Sequence, residues 1–79
     1  MDIRREVVDV LSKSIDAEKN EAFFQVKLQE LGISSIDFFK IMISLSKTIG
    51  IRLQDLDPAK VTTNMNTEEL IKYLTNKKV

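Results

Sequence analysis

Residues 32–37, with the sequence GISSID, contain the strongest helix start in this chain of 79 residues. Ser34 is a residue type whose hydroxyl caps helix N-termini, and Asp37 three positions later completes an acidic form of the capping box. The pattern therefore predicts a helix over residues 35–49. Gly50 follows as a glycine of the kind that ends helices in the left-handed conformation.

Residues placed at 100° intervals divide this helix into an apolar face and a polar stripe. The apolar face, which we expect to pack in the core, consists of Phe38, Ile41, Met42, Leu45 and Ile49. The polar stripe consists of Asp37, Lys40, Ser44 and Lys47. Ile36 and Ile43 lie beside the stripe, with Phe39 on the flank, so these three side chains should be at least partly exposed. They form either a partner-binding patch or isolated surface apolar residues of a common kind.

The residues before this helix predict a first helix and then a less regular segment. Apolar residues recur at helical spacing over residues 2–16, which indicates an amphipathic helix. From residue 16 onward polar residues dominate, and residues 23–31 mix apolar and polar side chains without a clean period. We interpret this stretch as a long loop held by Phe and Leu side chains. A short helix within residues 21–30 is the alternative, because structureless loops of this length are uncommon in small domains.

Two further helix starts follow residue 50. Asp57 suits the N-cap and Pro58 the first helical position, and the pair predicts a one-turn helix that ends at Lys60 or Val61. Asn66 with Glu69 repeats the capping pattern and opens a last helix that should end near Asn76. The expected fold is all-α: a small four-helix bundle with three longer helices and one short helix, in a single domain over residues 1–79.

The composition excludes several classes of function. The chain has no cysteine and no histidine, so disulfides, thiolate metal sites and the commonest general base are absent from it. Twelve basic residues balance twelve acidic ones, which is not the charge pattern of a nucleic-acid binder. Apolar runs are too short for a membrane span. We therefore expect a monomeric, cytoplasmic protein that is not an enzyme and binds neither nucleic acid nor membrane.

Ser35 stands at the first position of the central helix. Because Ser34 serves as the cap, the Ser35 hydroxyl is free to point outward. A helix N-terminus presents unpaired N–H groups and the positive end of the helix dipole, so an anionic group on Ser35 would be favourably placed. Serines at helix starts are more often caps or plain surface residues, and the local pattern alone does not separate these cases.

Residues 31–36, Leu-Gly-Ile-Ser-Ser-Ile, resemble the Leu-Gly-x-Asp-Ser-Leu signature of acyl carrier proteins and related peptidyl carrier domains. The resemblance covers nearly the whole chain in length and element order, and Ser35 matches the modified serine. It implies that a phosphopantetheinyl transferase moves a 4′-phosphopantetheine arm from coenzyme A to Ser35. Acyl or aminoacyl/peptidyl cargo would then ride on the arm as a thioester, while partner enzymes load and process it.

The same resemblance implies a docking surface on the central helix. Its expected members are Ile36, Asp37, Phe39, Lys40, Ile43 and Lys47. Carriers of fatty-acid type also shelter the acyl chain among the helices. The corresponding core positions here are Phe38, Ile41, Met42 and Leu45.

Two departures from the family pattern bear on the pathway. Ser34 stands where the family usually has Asp, and Lys40 and Lys47 occupy positions where acidic residues are common in fatty-acid carriers. These departures, with a pI of about 6.2, favour a specialised carrier that serves a polyketide, nonribosomal peptide or dedicated fatty-acyl pathway over the general fatty-acid carrier. The alternative is an interaction module with the carrier fold, unmodified, that binds a partner through the central helix.

Overall fold

A computed structural model of the protein describes residues 2–15, 21–57 and 59–78. Within these ranges the chain forms four α-helices and no β-strand, apart from an isolated bridge between Lys27 and Asn66. The helices are α1 (Ile3–Ser14), α2 (Glu21–Gln25), α3 (Ser35–Ile49) and α4 (Thr67–Lys78), and 3₁₀ turns cover Leu28–Leu31 and Leu53–Asp55. The predicted all-α fold, a small four-helix bundle with three longer helices and one short helix, is confirmed.

Helix α1 is slightly shorter than the predicted range of residues 2–16. Asp2 is its N-cap, and the carboxylate accepts a hydrogen bond from the Arg5 backbone N–H at 3.2 Å. The helix ends at Ser14, because Ile15 adopts an extended conformation with φ −136° and ψ 150°. Asp16, the last residue of the predicted range, lies outside the described residues.

The segment before α3 corrects the expectation of a long loop. Residues 21–25 form α2 and residues 28–31 form a 3₁₀ turn, so the alternative of a short helix within residues 21–30 is confirmed. Phe23 is buried, and its carbonyl oxygen accepts a hydrogen bond from the Thr67 hydroxyl at 3.2 Å. Contacts from α4 thus hold this segment in place. Residues 16–20, which belong to the same expected loop, lie outside the described residues.

The predicted one-turn helix over residues 57–61 is wrong in position. The short 3₁₀ turn lies earlier, at Leu53–Asp55, where no cap signal stands in the sequence. Asp57 does cap a turn, since its carboxylate accepts from the Ala59 N–H at 2.9 Å and its carbonyl accepts from the Val61 N–H at 2.9 Å. The turn does not continue as a helix, and Val61 enters the core. Pro58, on which the prediction partly rested, lies outside the described residues.

Helix α4 begins with the predicted capping pair. The Asn66 side-chain oxygen accepts from the Glu69 N–H at 2.8 Å, and the Glu69 carboxylate accepts from the Asn66 N–H at 3.1 Å. This reciprocal arrangement satisfies two backbone donors at the helix start. The helix runs to Lys78, two residues past the expected end near Asn76.

The core lies between α1, α3 and α4, and α3 contributes the largest share. Its buried residues are the five predicted from the helical spacing: Phe38, Ile41, Met42, Leu45 and Ile49. The other helices add buried residues from facing positions, namely Val7, Leu11, Phe23, Leu70, Ile71 and Leu74. No side-chain N or O atom buried within the described residues lacks a hydrogen-bond partner. The apolar face of α3 therefore determines which side of the helix remains available at the surface.

The first prediction concerns this division of α3. Ile49→Val removes one methyl group from a fully buried site and should lower the free energy of unfolding by about 0.5–1.5 kcal/mol. Ile36→Val makes the same chemical change on the exposed side of the same helix and should alter it by less than about 0.5 kcal/mol. Urea denaturation, monitored by circular dichroism, measures the free energy of unfolding of both variants. Equal effects at the two positions would contradict the burial pattern.

Candidate functional site

Ser35 is the first residue of α3, and its side chain is exposed. The cap is provided by Ser34, whose hydroxyl oxygen accepts a hydrogen bond from the Asp37 N–H at 3.1 Å. No described residue hydrogen-bonds to the Ser35 hydroxyl. The two adjacent serines therefore have separate roles, and Ser35 presents a free hydroxyl at the N-terminus of a 15-residue helix.

The chain before Ser35 is fixed by its backbone. Gly32 ends the 3₁₀ turn with φ 91°, a left-handed conformation that suits glycine. Its N–H donates to the Gln29 carbonyl at 3.2 Å, and the Ile33 N–H donates to the Leu28 carbonyl at 3.3 Å. Because Ile33 is also buried, the path of the chain into α3 is set on both sides of the glycine. This local geometry places Ser34 in the capping position and Ser35 one residue beyond it.

An apolar groove of about 330 Å³ opens beside Ser35. It lies between α3 and the segment of residues 53–61, and its lining consists of Ser35, Phe38, Phe39, Met42, Leu53, Leu56 and Val61. Of the residues expected to shelter an acyl chain, Phe38 and Met42 line this groove. Ile41 and Leu45 do not. The sequence pattern did not predict the three lining residues outside α3, which are Leu53, Leu56 and Val61. No helical period connects residues 53–61 with α3.

The outer wall of this groove is tied to α4. The Tyr73 hydroxyl oxygen accepts a hydrogen bond from the Asp57 N–H at 3.1 Å. The same wall is shaped by the Leu53–Asp55 turn, and Arg52 forms an ion pair with Asp55 at 3.4 Å. Polar contacts thus hold the first half of this wall, while Leu56 and Val61 are buried.

The residues predicted to form a docking surface lie on the outward side of α3. Ile36 is 71% exposed and Phe39 is 58% exposed, which confirms that these two apolar side chains face solvent. Ile43 is half-buried, whereas Asp37, Lys40 and Lys47 are exposed. These positions share one helix with Ser35.

Other kinds of site are not found in the described part of the chain. No group of three or more acidic residues is close enough to hold a metal ion there. In the same ranges, no helix has the length and apolar character needed to cross a lipid bilayer. The chemistry this site offers is therefore a free hydroxyl beside an apolar groove.

The sequence is similar to an acyl carrier protein from Nitratidesulfovibrio vulgaris (strain DSM 19637 / Miyazaki F), with 28% identity over 75 residues. The matched region spans 95% of this chain and 91% of that protein. The comparison supports the acyl carrier protein family. No family model matches the chain, and no solved structure matches it. Similarity over 95% of the chain and a compatible all-helical fold both support a carrier role.

The second prediction tests how the two serines divide their roles. Ser34→Ala should destabilise the protein by ~1 kcal/mol, because a backbone donor at the start of α3 loses its acceptor. Ser34→Asp should keep most of that stability. Ser44→Ala, an exposed serine in the middle of the same helix, is the matched control and should change stability by less than about 0.5 kcal/mol. Thermal denaturation compares the three variants, and a neutral Ser34→Ala would contradict the capping role.

Proposed function

We propose that the protein is a carrier in which Ser35 holds a 4′-phosphopantetheine arm. The observation that carries the proposal is the free hydroxyl of Ser35 at the start of α3, next to an apolar groove and three residues after the left-handed Gly32. Residues 31–36 resemble the family signature, with Ser35 at the position of the modified serine and Ser34 in place of the usual aspartate. Full-length similarity to an acyl carrier protein supports the same role.

The residues around Ser35 fit such a modification. A phosphopantetheinyl transferase would join the Ser35 oxygen to the phosphorus of the phosphopantetheine group of coenzyme A, with loss of the hydroxyl proton and release of adenosine 3′,5′-bisphosphate. The phosphodiester would lie at the positive end of α3, where a negative charge is stabilised. When bound, the arm supplies a terminal thiol that holds cargo as a thioester, and this chain has no cysteine of its own. The protein would carry cargo without catalysing a reaction.

The groove beside Ser35 supports an apolar cargo. All of its lining residues except Ser35 are apolar, so an acyl chain would contact mainly apolar surface there. Phe38 and Met42 form the α3 side of the groove, and Leu53, Leu56 and Val61 form the other side. We propose that a fatty-acyl type of cargo can enter between these two sides. The acyl chain would then lie nearer the surface than Ile41 and Leu45, two of the four core positions that the family resemblance implied.

Partner enzymes would dock on the outward side of α3. Ile36 and Phe39 expose apolar surface close to Ser35, and Ile43 continues it one turn further. Lys40 and Lys47 add positive charge to the same side, in contrast to the acidic helix typical of fatty-acid carriers. We therefore propose a specialised pathway, such as polyketide, nonribosomal peptide or dedicated fatty-acyl synthesis. Its loading and processing enzymes would present acidic or apolar surfaces to α3.

A second candidate function keeps the fold and omits the arm. In this alternative the protein is an interaction module that binds a partner through α3. Its specific support is Ser34, which replaces the aspartate of the family signature, together with the large exposure of Ile36 and Phe39. The two candidates differ in one measurable property, the covalent modification of Ser35.

The third prediction is that Ser35 accepts the arm. Incubation with coenzyme A and a broad-specificity phosphopantetheinyl transferase should raise the intact mass of the wild type by one phosphopantetheine group. Ser35→Ala should stay unmodified, while Ser34→Ala, the neighbouring control, should still be modified. Modified Ser35→Ala protein would overturn the site assignment. An unmodified wild type, both in this assay and when purified from its native host, would favour the interaction module.

The fourth prediction concerns the charge of α3. Lys40→Glu with Lys47→Glu should increase the rate of malonyl loading by a fatty-acid-type transferase, because such an enzyme uses a basic docking surface. Lys60→Glu with Lys72→Glu makes the same charge change at exposed positions outside α3 and should have a smaller effect. Loading kinetics at low and high salt measure the difference, since salt screens charge interactions. Equal rates for wild type and both double variants would remove the electrostatic argument for a specialised carrier.

A further inference from the structure

A second groove, of about 250 Å³, lies on a different side of α3, between this helix and α1. Val10 and Lys13 line it from α1, and Lys40, Ile41 and Ser44 line it from α3. Ile41 is buried and Val10 is half-buried, so the floor of the groove is apolar, while the two lysines are exposed at its edges. Lys13 is distant from the docking residues in sequence, and the packing of α1 on α3 brings it to the same groove as Lys40.

Neither lysine forms an ion pair within the described part of the chain, and the exposed Asp37 lies three residues before Lys40 on the same helix. The ion pairs found there are Arg4–Glu68 and Arg52–Asp55, and neither includes a lysine. No acidic residue is among those lining the groove. A chain with equal numbers of acidic and basic residues thus has a local surface that carries two positive charges over an apolar floor.

Three hydroxyl groups line this groove, and one of them, that of Ser14, donates a hydrogen bond to the Val10 carbonyl oxygen of its own helix at 3.5 Å. Ser12, Ser46 and Thr75 each donate a hydrogen bond to a backbone carbonyl of their own helix. Ser44 and Thr48, which line the groove from α3, make no hydrogen bond to a described residue. Their hydroxyls are exposed and can donate to an external acceptor.

We propose that the α1–α3 groove docks an acidic segment of a partner protein. Carboxylates of that segment would pair with Lys13 and Lys40 and accept hydrogen bonds from Ser44 and Thr48, while a small apolar side chain would cover the half-buried Val10. The inference rests on the proposed carrier function, because it describes a second contact with a partner that visits Ser35. This contact is separate from the apolar groove next to Ser35.

A protein segment suits the groove better than other anions. A small anion would pair with the lysines but leave the apolar floor uncovered, whereas an amphipathic segment satisfies both features. A nucleic acid would require a denser row of positive charge than two lysines in a chain of zero net charge. Charge complementarity and the apolar floor together favour acidic protein side chains.

The test uses the full chain and a synthetic amphipathic helical peptide with glutamates along one face. A matched peptide with glutamine in place of each glutamate is the control. Two-dimensional NMR titration of the isotope-labelled protein should show shift changes concentrated at Val10, Lys13, Ser44 and Thr48 with the glutamate peptide only. Lys13→Glu with Lys40→Glu should weaken that binding by roughly tenfold or more, as expected when like charges face each other. Lys60→Glu with Lys72→Glu should leave it within about twofold of the wild type.

The proposal would be overturned by shift changes spread equally over all lysines, or by equal weakening of binding in the groove and control variants. Absence of binding by the glutamate peptide would also overturn it, and equal binding of the glutamine peptide would show that charge does not select the occupant. Phosphopantetheine transfer to Ser35 and peptide binding are both measured on the wild type and on the single variant Lys13→Glu, because Lys40 also belongs to the docking surface proposed on α3. If transfer to Ser35 stays intact while peptide binding is lost, the α1–α3 groove alone is responsible for the loss. If transfer fails in the wild type, the proposed carrier function itself is contradicted.

Discussion

Burial of one face of α3 is the constraint on which the rest of the structure depends. Five apolar residues of this helix enter the core, and the remaining residues must then face outward, since a helix presents a fixed angular order of side chains. The cap at Ser34 adds a second constraint, because it sets the residue at which the helix begins. Together these two features place Ser35 at an exposed helix start and Ile36 and Phe39 on the open side.

The parts of the fold that could be predicted from sequence depend on contacts within a few residues. The Ser34–Asp37 and Asn66–Glu69 caps each join positions three apart, and both form as the residue types indicate. The end of α3 at Gly50 is similarly local, with φ 86° at the glycine. The apolar face of α3 also followed from spacing alone. The position of Ser35 in the fold was therefore available from the sequence, while its modification remains a prediction.

The parts that could not be predicted depend on residues far apart in the chain. Helix α2 has a mixed pattern, and it is held by Thr67, which lies 44 positions from its partner Phe23. The Leu53–Asp55 turn carries no cap signal, so the wall of the apolar groove was missed with it. Lys13 and Lys40 line the same groove only because α1 packs on α3. Periodicity identifies a buried face, but it does not say which neighbouring surface will cover it.

The hydrogen bond between Tyr73 and Asp57 has a mechanical consequence for the apolar groove. The two sides of the groove are anchored independently: α3 by its own cap and core contacts, and the opposite wall by a tyrosine on α4. A molecule that pushes the two sides apart would therefore strain the Asp57–Tyr73 hydrogen bond, and occupancy of the groove would be transmitted to α4 through this contact.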